Sequence, residues 1–175
     1  KTKLIAPSQA IEQIKLLDGH ESILPQTHSI KMTYGDAVQN FKTGNLQVGV
    51  VRIPHSGWPS SRTDVSNLVF RVTVDETTTV MHMGDADPND IHFEPHNAHW
   101  QAKTTDTAFP PYWFLYSTFG PDILDNRINA TESIGVHVPM KVPEQLKQTG
   151  KPYFSKPGEI KIIQSLKENH SKKLA

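Results

Sequence analysis

The sequence predicts an α/β chain of the layered α+β kind, on three observations. Residues 46–53, 68–74 and 80–83 are apolar runs of strand length, continuous enough to read as the centre of a sheet covered on at least one face. Asp75-Glu76-Thr77-Thr78 is short enough to join the second and third runs as a hairpin. The chain opens with the apolar pair Leu4-Ile5 and then a helical pattern, so strand is followed by helix. A length of 175 residues suits a single domain over 1–175 with a core of its own.

In chain order, Ser8 reads as the N-cap of a helix over 9–17 that stops near Asp18-Gly19, with Ile11, Ile14 and Leu17 forming its packing stripe. Residues 29–34 alternate as an amphipathic strand, 37–42 are a weak strand or turn, and Thr43-Gly44-Asn45 is a turn into 46–53. The third run, 79–83, breaks at Gly84 into the acidic loop Asp85-Ala86-Asp87. After a polar region through Thr107, the aromatic stretch 109–116 reads as a buried strand, and Phe109 to Phe119 are expected largely inside. Residues 121–128 form a short helix with Pro121 in its first turn. The last good strand is 134–138, followed by a short helix from Val142, a loop over 153–158, and a closing strand or helix from Glu159.

Composition narrows the function classes. Basic and acidic residues balance at 18 each, and no basic block interleaved with aromatics is visible, which disfavours a nucleic-acid partner. No apolar run is long enough to span a bilayer and no signal peptide opens the chain. Cysteine is absent, so disulfides, thiol catalysis and cysteine-ligated zinc are excluded. The compartment stays open, with the cytoplasm as the default and a leader upstream of Lys1 as the alternative. With nine histidines available, imidazole is the natural metal ligand.

Two of those histidines and one aspartate stand at strand ends. His55 follows the run 46–53 directly, between Pro54 and Gly57; Asp85 follows Gly84; His137 sits within the predicted strand 134–138. Each has an ordinary alternative: a loop histidine, a capped turn, a hydrogen-bonded core histidine. Together they match a metal site built on a sheet edge. Asp87, His92, His96 and His99 form a looser cluster, but Pro95 breaks the helix that would align its histidines, so a loop beside the site or on the surface is expected. His82 faces away from Met81 and Met83 and is expected in a packed or hydrogen-bonded role.

The succession Pro54-His55-Ser56-Gly57, Asn67-Leu68-Val69-Phe70-Arg71-Val72, Val80-Met81-His82-Met83-Gly84-Asp85-Ala86-Asp87 and Ile134-Gly135-Val136-His137-Val138-Pro139 resembles the second half of a metallo-β-lactamase superfamily hydrolase. The resemblance implies the later part of an αββα sandwich. It implies that His55, Asp85 and His137 are metal ligands, that Asp85 bridges two divalent ions and so serves the reaction, and that the ions are zinc, with iron or manganese as alternatives. The activity implied is hydrolysis of a small-molecule ester, lactone, amide or phosphoester by a metal-bound hydroxide. The family's upstream His-x-His-x-Asp-His motif is absent from the sequence, so this chain by itself is expected to be inactive, with its site partial or empty. An N-terminal half, or a second copy forming a homo-oligomer, is expected to cover the open sheet. The rival reading is a non-catalytic binding or structural module that retains a degenerate form of the fold. On either reading, His55, Asp85 and His137 should converge to within about 3 to 5 Å.

Overall fold

The computed structural model describes residues 3–162. It has a mixed α/β architecture in layers. Six strands form the main sheet in sequence order: β3 (Gln39–Thr43), β4 (Leu46–Arg52), β5 (Leu68–Val74), β6 (Thr78–His82), β7 (Thr105–Phe109) and β8 (Ala130–Ser133). The first four pair antiparallel, while β6, β7 and β8 pair parallel. A separate pair, β1 (Leu4–Pro7) and β2 (Thr27–Ile30), is parallel and is bridged by helix α1 (Ser8–Ile14).

The apolar runs fold as strands because both of their faces find cover. On one face Val51, Ile53, Val69, Met81 and Ala108 pack with Phe93, Trp100, Phe114, Ile123 and Leu146 from the helical segments that follow β6, β7 and β8. On the other, Val48, Val50 and Leu68 meet Ile30 and Met32, with Ile5 beside them. Among the described residues, Phe41, Phe70 and Val72 on this second face are half-buried. Successive side chains of a strand point to opposite faces, so Val50 and Val51 serve different cores and both are fully buried.

Several expected boundaries move. Helix α1 ends at Ile14, a turn early, which leaves Leu17 exposed and outside the stripe; Pro7 takes the N-cap position that was expected of Ser8. The aromatic stretch is not a strand. Strand β7 lies earlier, over residues read as a polar turn, and stops where Pro110 and Pro111 offer no N–H to a ladder. A 3-10 turn over Tyr112–Leu115 follows, burying Phe114 and Leu115 while Tyr116 and Phe119 remain exposed. The last strand among the described residues is β8, upstream of 134–138; Gly135 and Val136 make only isolated bridges. Residues 121–128 are helical as expected, with α3 (Gly120–Asp122) widening into a π-turn over Ile123–Arg127. The short helix after Val142 is α4 (Glu144–Gln148). Residues 159–162 have no regular structure, and the rest of the expected closing element lies outside the described residues.

Candidate functional site

Because β4 and β6 both run antiparallel to β5, and β7 and β8 run parallel to β6, the C-terminal ends of β4, β6, β7 and β8 share one edge of the sheet. His55 leaves β4 there, Asp85 leaves β6, and His137 lies just past β8. The loops are tied together by backbone. Ser56 N–H donates to Asp85 O at 2.7 Å, Asp87 N–H donates to Pro54 O at 2.8 Å, and His55 pairs with Ala86. Beyond β8, Tyr112 N–H donates to Val136 O at 2.9 Å and carries His137 toward the same rim. His137 has φ 59°, a left-handed turn conformation rather than the strand position expected of it.

The three residues converge. His55 Nε2 lies 3.3 Å from Asp85 Oδ2, and His137 Nε2 lies 3.3 Å from Asp85 Oδ1. His55 Nδ1 is 2.8 Å from Ser56 O. A carbonyl oxygen can only accept, so Nδ1 carries a proton there, and Nε2 is the ring nitrogen that faces the carboxylate. The rim thus sets one carboxylate between two imidazole nitrogens. Trp113 stands beside it, its ring centroid 6.4 Å from that of His137 and its indole N–H donating to Ala86 O at 3.1 Å.

Asn67 completes the site and was not singled out in the sequence. Nearly buried, it accepts the Asp85 backbone N–H at 2.9 Å through Oδ1 and donates through Nδ2 to Ile53 O and Met83 O, each at 3.3 Å. One amide thus fixes the ends of β4 and β6 and the start of the acidic loop. Its only signal in the sequence is a polar residue directly before an apolar run.

The remaining histidines divide. His82 Nδ1 accepts the Gly84 N–H at 3.1 Å, the hydrogen-bonded role expected of it; partial desolvation of the ring by its neighbours, then the nearby His137, hold its pKa down. His92 Nε2 comes within 3.6 Å of Asp87 Oδ1, too long for a hydrogen bond. Burial lowers the His92 pKa and raises that of Asp87 against their mutual attraction, so both are pushed toward the uncharged form. The ring of Trp58 packs edge-on against His92 with centroids 5.0 Å apart. His96 is buried beside Trp100, and His99 points toward the opposite end of the sheet.

The expected metal-dependent hydrolase is overturned at this point. Among the described residues, no group of three or more histidine, aspartate or glutamate side chains is arranged to hold a metal ion. The two imidazoles approach different oxygens of Asp85, so the carboxylate stands between them and the donors do not share one point. The same finding removes the enzyme assignment and the paired divalent ions with zinc, iron or manganese as candidates. No helix among the described residues is long and apolar enough to cross a membrane.

No family model and no curated protein matches this sequence. What the rim can do rests on its own geometry.

Proposed function

We propose that the chain is a non-catalytic binding module, retaining the later part of a metallo-β-lactamase-like layered fold, whose rim takes a small organic cation. The observation that carries this reading is the pair of 3.3 Å approaches of His55 and His137 to the two oxygens of Asp85, with the His55 Nδ1 proton already committed to Ser56 O. Such a rim offers a carboxylate flanked by two imidazoles. A primary ammonium group supplies three N–H donors and a compensating charge, and the neighbouring Trp113 face suits its cationic end.

The test is calorimetric titration with n-butylammonium against n-butanol and butyrate. Saturable binding of the amine alone is expected. Asp85→Asn preserves the shape and removes the charge, and should weaken it by about tenfold or more, the usual cost of deleting one charged hydrogen-bond partner. Equal binding by butanol, or an unchanged affinity in Asp85→Asn, would overturn the reading.

A further inference from the structure

A cavity of about 380 Å³ lies around the start of β4, at the opposite end of the strand from His55. It opens between β3, β4, β5 and the end of helix α2 (Asn97–Gln101), and its size is that of a small-ligand site. Its lining includes Lys42, Arg71, His99 and Lys103 and contains no carboxylate.

Arg71 is the centre of it. At 5% exposure it is nearly buried, and its two terminal guanidinium nitrogens donate to the backbone carbonyls of His99 and Lys103. Those carbonyls lie at and beyond the last turn of α2, so Arg71 holds that helix end against the sheet. Carbonyl dipoles satisfy donors, yet they do not neutralise a full charge, and among the described residues Arg71 makes no ion pair. Its Nε is buried without a hydrogen-bond partner, and so is His99 Nε2.

The neighbouring strand leaves room for this arrangement. A Cβ on Gly49 would stand 2.5 Å from His99 Cε1 and 3.0 Å from Nε2, so the imidazole edge lies against bare backbone. Burial lowers the His99 pKa to about 4, with the positive Arg71 adding to the effect, which leaves the ring neutral beside a lone guanidinium.

We propose that this cavity binds a small organic anion, a single carboxylate on a compact apolar body. The charge it lacks is negative, and the walls beyond the cationic groups include Val48, Gly49 and Ala102. A carboxylate fits better than a phosphate because one buried guanidinium, with two of its five N–H donors already given to carbonyls, balances a single negative charge and not the two of a dianion. This site shares none of its lining residues with the rim, so either can fail alone.

Titration of the intact chain with benzoate, benzamide and inorganic phosphate tests it, while the His99 ring signals are followed by NMR. Benzoate is expected to bind saturably and to shift those signals, and benzamide about tenfold or more weakly, the scale of losing a charge-assisted contact. The double variant Lys42→Gln with Lys103→Gln, both exposed positions, should weaken benzoate about threefold to tenfold and flatten its salt dependence. Arg71→Met, where it folds, should abolish binding. Benzamide binding as tightly as benzoate, phosphate competing equally, saturation absent in the millimolar range, or an affinity indifferent to the lysine variants would each overturn the proposal.

Discussion

Gly84 and Asn67 together decide where the Asp85 carboxylate sits. Gly84 has φ +59°, and a Cβ built on it would fall 2.2 Å from Asn67 Oδ1, the atom that receives the Asp85 N–H. Any side chain there strains the backbone and expels the brace at once. Gly84→Ala is therefore expected to destabilise the fold by about 2 kcal/mol, combining left-handed strain with a lost buried hydrogen bond. A urea titration measures this, and the rim should lose its ligand affinity even where the variant is fully folded. Asn67→Asp keeps the acceptor but removes both donations to Ile53 O and Met83 O, so it separates the two roles of the amide.

At the scale of elements, the hairpin between β5 and β6 is the most locally specified part of the chain. Its turn places Asp75 at φ 51° and Glu76 at φ 60°, the pair of left-handed residues that matches the twist of adjacent strands. Asp75 is held from outside, its N–H donating to Asn45 O at 3.0 Å and its carboxylate accepting from Asn45 Nδ2 at 2.7 Å. Glu76 is exposed. Glu76→Gly should relieve the strain and raise stability by about 0.5 to 1 kcal/mol, read as a higher urea midpoint at unchanged slope. The same logic explains why the aromatic stretch could not extend β7: two prolines in succession end the ladder before Tyr112 whatever the propensity of the rings that follow.

At the scale of the molecule, the core beneath α2 carries histidines that resist protonation. His92, His96 and His99 all have pKa values held below the ordinary histidine value of about 6.5, each first by burial. The unfolded chain binds their protons earlier on acidification than the folded chain does, so stability falls as pH drops below 6.5 and continues to fall toward about 4, where His99 itself titrates. Asp87, raised by burial, acts in the opposite sense. Thermal melts at pH 7.5 and pH 5, conditions chosen to straddle the ordinary histidine range, should show a lower midpoint in acid. His99→Gln should narrow that difference, and an equal difference in this variant would remove His99 as its source.

The sequence by itself determined the layered α/β class, the strands at the centre of the sheet and the hairpin turn, because apolar runs, turn residues and chain breaks act over a few neighbours. It also placed His55 and Asp85 at strand ends, since Pro54 and Gly84 mark those ends locally. His137 was read into a strand because Ile134, Val136 and Val138 alternate around it; bridges to Pro111 and Tyr153 bend that segment into a loop instead. Only the tertiary structure decided that the two imidazoles meet separate oxygens of one carboxylate, and that Asn67 braces it from 18 residues away. It likewise set Arg71 against carbonyls 28 and 32 residues downstream, leaving a buried charge beside His99. Those relations depend on which strands lie side by side and how closely their backbones approach, and no periodicity within a single segment encodes them.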